Sequence, residues 1–264
     1  PLPQILILMG FGGALVFATF ILIRREDLFS RLIFDRNVLV RNGCEVFGTS
    51  FMISALAVVP LSVVAAVLQA TPIAVTLIAA IFYGVTVGWR RWTAIMIGFA
   101  GVLIIVRPGA EGFQLNTLLA VGAMIGLSFR DVTTRTSPKA LGSLQLSFYA
   151  FLAIASAGLV ASIYTGDIKP LSLSVAAITA LCVVCVVIGY FCVTASLRQG
   201  DILVIIPFRY TRIIFAGAIG FFFFAETIDN WTIVGSAIVI GSGLYALWRE
   251  HRTSRPLSPA VTAR

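Results

Sequence analysis

Charge is scarce in this chain of 264 residues. Asp, Glu, Lys and Arg together make up 11%, against about 25% in an ordinary soluble domain. So few charged side chains cannot cover the surface of a water-soluble globule. The single histidine is His251, near the C-terminus. The four cysteines, Cys44, Cys182, Cys185 and Cys192, lie inside apolar runs and carry little redox information, while the apolar composition itself excludes a disulfide-stapled secreted domain. What is abundant is apolar: 59% of the residues are hydrophobic and the mean hydropathy is +1.02. A cytosolic enzyme and a disordered chain are excluded with it. An all-α polytopic membrane protein remains.

A spanning helix needs about 20 mostly apolar residues. Nine such runs follow one another: Gln4–Ile23, Val38–Val59, Leu61–Val85, Trp92–Val106, Leu118–Thr134, Leu146–Tyr164, Leu173–Leu197, Ile202–Ala225 and Trp231–Trp248. None alternates polar with apolar, so a β-barrel is not expected. Pro60 and Gly200–Asp201 are connections only a turn long, which makes the flanking spans antiparallel neighbours. The segment Arg24–Arg41 mixes charges with Leu28, Phe29, Leu32, Ile33 and Phe34, and is expected to lie along the interface. The basic tail 249–264 is expected to be unstructured.

The net charge of +8 does not point to nucleic acid, because the basic residues fall between the apolar runs. One set of alternate connections, with the tail, holds fourteen Lys and Arg, and the other set holds only Arg107 and Lys169. Lys and Arg collect on the cytoplasmic side. The C-terminus is therefore expected in the cytoplasm, in a bacterial inner membrane. Residue 1 is Pro, so the native start is expected to precede it.

Two stretches share a texture. Pro60–Gly109 and Gly200–Glu250 each read as a long span, a short polar turn, a Trp, then a glycine-spaced span. By the loop charges, the first begins outside and the second inside. Copies in opposite orientation mark inverted-repeat transporters. Gly88-Trp89-Arg90-Arg91-Trp92, Gly98 to Val102 and Arg107-Pro108-Gly109 carry the family likeness in the first half. Pro207-Phe208-Arg209-Tyr210, Ala225-Glu226 and Gly235 through Tyr245 carry it in the second. On these residues the chain resembles EamA-type members of the drug/metabolite transporter superfamily. That resemblance implies a first repeat at 1–109 and a second at 110–248. It also implies five plus five spans, so a first helix is expected to be missing from the nine. A Gly-Glu pair is usual after the fourth family helix. Here Val85 follows Gly84, whereas the second copy keeps Glu226.

Arg209 and Arg212 are the most informative residues. They lie about 12 and 16 Å along their helix and share a face. An arginine at the centre of a spanning helix costs about 2.5–3.5 kcal/mol. It therefore needs a wet cavity, a carboxylate or an anionic solute. One reading has the two arginines line a substrate pathway. The other pairs them with Glu45 or Asp131. Arg41, Glu45, Arg130 and Asp131 form a candidate gate, although Glu45 could simply pair with Arg41 one turn away, and Arg130 could snorkel. Tyr210, Gln69, Thr71, Ser50, Tyr190 and Thr194 are further pathway candidates, as is Thr76. Pro72 and Pro207 are candidate helix breaks.

Cys182, Cys185, Gly189, Cys192 and Ser196 step by three and four along one face. They read as a small-residue packing stripe and not as a metal site. Gly98, Gly101, Gly235, Gly241 and Gly243 read the same way. Phe221 to Phe224 suit a lipid-facing surface, and Trp92 and Trp231 suit interfacial anchors. Glu226 and Asp229 are expected to be wet.

A secondary transporter of small metabolites follows, working by alternating access. An exporter of anionic or zwitterionic solutes is favoured. The alternative is a non-transporting scaffold or lipid-handling protein. An enzyme is not expected, because no histidine lies within a span and neither a Walker A nor an HExxH sequence occurs. No catalytic residue, cofactor or metal is expected. The expected partners are the bilayer and a small-molecule solute, nucleic acid is not, and a homodimer is left open.

Overall fold

The computed structural model describes residues 1–84, 88–106, 115–166, 168–199, 208–226 and 229–253. Arg107, Pro108, Gly109, Val85, Pro207, the Gly200–Asp201 connection and the tail from residue 254 onward lie outside the described residues. The helices are α1 (Leu2–Ile23), α2 (Arg36–Val58), α3 (Leu61–Leu68), α4 (Thr71–Tyr83), α5 (Trp89–Val106), α6 (Thr117–Thr136), α7 (Ser143–Thr165), α8 (Leu173–Gln199), α9 (Arg212–Phe224) and α10 (Asn230–Thr253). No strand occurs among the described residues. Helices dominate because lipid offers the backbone no hydrogen-bond partner, so each span must satisfy its own amides. Among the described residues, four stretches are both long and apolar enough to cross a bilayer: α1, α3 with α4, α7 and α8. The helices α2 and α6 miss that threshold because they carry the buried charges.

The third apolar run forms two helices, not one. Pro72 has no amide hydrogen to give the Leu68 carbonyl, and the Thr71 hydroxyl takes that carbonyl instead at 2.6 Å. Gln69 and Ala70 make the turn, and Pro72 sits in the first turn of α4, where a missing donor costs nothing.

The second half repeats this local design. The helices α4 and α9 are each 13 residues long, and each ends on a left-handed residue, Gly84 with φ 64° and Ala225 with φ 52°. Gln69 and Tyr210, which precede them, are 141 positions apart and bonded to each other, Gln69 Nε2 donating to the Tyr210 carbonyl at 2.7 Å. At the far ends, the start of α3 meets Glu226 just beyond α9. The corresponding helices therefore run antiparallel, as an inverted-repeat bundle requires.

Other pairs are also antiparallel. In α1 and α7, Gly10 lies against Ala155 and Gly13 against Phe151, while Gly158 lies against Ile7. In α2 and α6, Gly48 lies against Leu127 and Gly122 against Phe51. The helices α5 and α10 meet at Gly101 and Gly235, where a Cβ on Gly101 would stand 2.9 Å from the Gly235 carbonyl oxygen and one on Gly235 would stand 2.7 Å from the Gly101 carbonyl oxygen. Backbone cannot yield as a side-chain tip can. Gly101→Ala is expected to cost about 1–3 kcal/mol, read as a lower thermal midpoint in detergent. Gly43→Ala, in α2 at a site with nothing within 4 Å, leaves the midpoint the same or higher, since Ala favours helix over Gly.

Three expectations need correction. The stripe on α8 does not pack: Cys182, Cys185 and Cys192 are exposed and nothing approaches Gly189 within 4 Å. Gly241 likewise meets nothing, whereas Gly98, Gly101, Gly235 and Gly243 are all in close contact. The segment Arg24–Arg41, expected along the interface as one stretch, divides: 24–35 is a connection with one 3-10 turn, Arg31–Phe34, and from Arg36 it belongs to α2. In the connection, Leu28, Leu32 and Ile33 pack onto the cluster of α1, α7 and α8. Tyr149 fastens it, its hydroxyl accepting from the Ser30 amide at 2.9 Å and donating to the Leu28 carbonyl at 3.2 Å. Phe221 to Phe224 are 62–81% exposed, which suits lipid.

Candidate functional site

The charged candidates converge. Arg41 and Glu45 lie one turn apart on the face of α2 that packs on α6, so both are withdrawn from the surface, at 0% and 2% exposure. They do not pair with each other. Arg41 donates to the Thr134 hydroxyl at 3.0 Å, to Asn42 at 3.1 Å, to the Leu146 carbonyl at 2.9 Å and to the Tyr190 hydroxyl at 2.9 Å. Tyr190, on α8, donates in turn to Glu45 at 2.5 Å. Glu45 also accepts from Thr49 at 3.2 Å and from Arg130 at 3.3 Å.

Arg130 does not snorkel. It is 7% exposed and lies between Glu45 and Asp131, with its Nε 2.8 Å from an Asp131 oxygen. Its guanidinium also sits 5.4 Å from the Tyr190 ring centre, within cation–π range. Asp131, fully buried, receives Arg209 at 2.6 Å on its other oxygen. One chain of contacts thus runs from Arg41 on α2 through Tyr190, Glu45, Arg130 and Asp131 to Arg209, just ahead of α9. Tyr190→Phe is expected to cost about 1–3 kcal/mol, the penalty for leaving buried partners unmatched, measured by thermal unfolding. It strips one bond each from Arg41 and Glu45.

Arg212 is different. It is half-buried and has no hydrogen bond or ion pair among the described residues. It lines a cavity of about 280 Å³ with Arg209, Thr211, Phe208, Cys192 and Ser196. Four guanidiniums stand in this region against the carboxylates of Glu45 and Asp131. Among the described residues the cluster therefore holds more guanidiniums than carboxylates.

The other candidates divide. Gln69 is 2% exposed and joins the two halves through Tyr210. The Tyr210 hydroxyl is buried without a partner among the described residues, against Gly243, where a Cβ would meet it at 1.7 Å. Thr194 is 1% exposed, its hydroxyl without a partner among the described residues. Thr71 and Thr76 bond their own helix backbone. Ser50 is half-buried and joins nothing in the cluster.

One residue has a role that the sequence reading missed. Glu226 is not simply wet. Its carboxylate accepts from the Leu61 amide at 2.6 Å, the Ser62 amide at 3.0 Å and the Ser62 hydroxyl at 2.8 Å. The signal was local: α3 starts straight after Pro60, which has no side chain to cap its free amides. Asp229 accepts from the Thr232 hydroxyl.

No group of metal-ligating side chains occurs among the described residues.

Comparison with known proteins fits this arrangement. The profile of the EamA-like transporter family matches residues 1–107 and 115–248. The S-adenosylmethionine uptake transporter of Rickettsia felis is 24% identical over 207 residues, covering 78% of this chain and 69% of its own. The riboflavin transporter of Brucella anthropi is 28% identical over 220 residues, covering 79% and 75%. A solved crystal structure shares the fold with a TM-score of 0.66 at 19% identity, covering 97% of this chain and 90% of its own. These relatives are named as transporters and not as enzymes. The chain is an integral membrane protein that belongs to the EamA-like transporter family.

Proposed function

We propose that this chain is a secondary transporter carrying small anionic or zwitterionic metabolites by alternating access between repeats 1–109 and 110–248. The observation that carries the reading is Arg212, a guanidinium with no hydrogen bond or ion pair among the described residues, beside a cavity it shares with Arg209. An anionic group there would meet both guanidiniums. At an effective dielectric of about 20, two opposite charges about 4 Å apart attract by about 4 kcal/mol. That is ample to hold a solute loosely and release it again.

The chain from Arg41 to Arg209 supplies the gate. Tyr190 on α8 grips Arg41 and Glu45 on α2, and Arg209 grips Asp131 on α6. The Tyr190 contacts join the two proposed repeats, so rocking one against the other must break and remake them, whereas Arg209 and Asp131 both belong to the second repeat. Asp131 would release Arg209 as a solute anion replaced it. Direction is set by gradients, because a carrier that binds on both sides runs either way. The names of the S-adenosylmethionine relatives favour uptake over the export that the sequence suggested. The loop charges support a cytoplasmic C-terminus in a bacterial inner membrane.

The test is flux. Full-length protein in liposomes is given labelled dicarboxylates, phosphate esters, amino acids and neutral sugars. Saturable uptake of an anionic or zwitterionic solute above empty liposomes is expected. Uptake of neutral solutes alone would overturn the substrate class, and no uptake of any solute by folded protein would overturn the transporter reading.

A further inference from the structure

We infer that Glu226 is a latch that holds the bundle shut at the end opposite the arginine cluster. The helix α9 separates Glu226 from Arg212 by 13 residues, about 20 Å at 1.5 Å per residue. The inference rests on the alternating-access reading, which needs a closure at each end of the pathway.

The seat of this carboxylate is built from both halves. Ala225 adopts a left-handed conformation, and the Glu226 amide then donates back to the Gly220 carbonyl at 2.9 Å. That tight turn folds the side chain over Gly220, where a Cβ would come within 2.6 Å of a carboxylate oxygen. So directed, the carboxylate reaches the start of α3 in the other half. The Leu61 and Ser62 amides there have no acceptor of their own, because Pro60 offers none. The helix dipole adds attraction for a negative group at that end.

Ser62, Ala65 and Gln69 are three and four residues apart and so share a face of α3. Glu226 closes one end of that face and the Tyr210 backbone closes the other. Ala65, between them, is 3% exposed. Releasing Glu226 frees α3 from α9 at one end only. The corresponding position of the first repeat is Val85, which cannot form such a latch. The two ends of the pathway are therefore closed by different chemistry.

The experiment uses the full-length chain in liposomes with its four cysteines replaced by alanine. A single cysteine is placed by Ala65→Cys or, as a control in α7, by Ala150→Cys. A water-soluble maleimide reports which cysteine meets water, with no solute present. Labelling of A65C is expected to rise at least about fivefold with E226A, and also with the milder E226Q and S62A. A150C stays unlabelled throughout. Equal labelling of A65C with and without Glu226 would overturn the latch. So would a parallel rise at A150C, which would make Glu226 a structural cap. Because no flux is measured, either result stands apart from the fate of the transport reading.

Discussion

Asp131→Ala is expected to cost the fold about 3–5 kcal/mol, the penalty for breaking a buried ion pair from one side. Asp131 is fully buried and holds two guanidiniums, Arg130 and Arg209. Its removal leaves Glu45 to face Arg130 alone and leaves Arg209 with no acid. Thermal unfolding in detergent should show a large drop in midpoint, or the variant should fail to accumulate in the membrane. Asp131→Asn keeps the shape but not the charge, and should recover only part of the loss. A double variant, D131A with R209A, should be less unstable than D131A, because the stranded charge goes with its partner. Additive losses would mean that the 2.6 Å contact carries no coupling.

Arg212→Ala should do the reverse: a small effect on stability and a large one on function. Among the described residues Arg212 has no ion pair to lose, and truncation removes one of two guanidiniums from the cavity. A transported anion, by contrast, loses a partner. Removing one member of a desolvated charge pair costs about 2–5 kcal/mol, so the apparent affinity should fall by about 30-fold or more. Arg212→Lys keeps the charge and loses the planar fork, and should lie between. Normal flux in R212A would remove the residue from the pathway.

The contrast between Asp131 and Arg212 shows what could be read from the residues alone. The spans were legible because a bilayer dictates length and apolarity, and among the described residues each run carries helix, the third broken into α3 and α4. The proposed inverted copies rest on the alternation of loop charge. Partner choice was not legible. Arg41 and Glu45 sit one turn apart, and their spacing allowed a pair. The structure turns Arg41 to Thr134, Leu146 and Tyr190, and Glu45 to Arg130. Which buried acid meets which buried base depends on helix rotation and crossing, and neither leaves a local trace. The split of the third run into α3 and α4 was half visible in Pro72. That Gln69 at that break would hold its own counterpart, Tyr210, needed the fold. The α8 stripe misled because spacing defines a face without saying what faces it. Glu226 was misjudged because its partners lie 164 and 165 positions away.

The central claim is that Arg212 faces water and the solute in the cavity it shares with Arg209. Arg212→Cys in the cysteine-free, full-length protein tests it directly. A cationic, water-soluble thiol reagent should label this cysteine, and the transported solute should slow the labelling. The positive adduct should restore part of the flux, and an anionic adduct should not. A cysteine that stays unlabelled, or one labelled at the same rate with and without solute, would contradict the account.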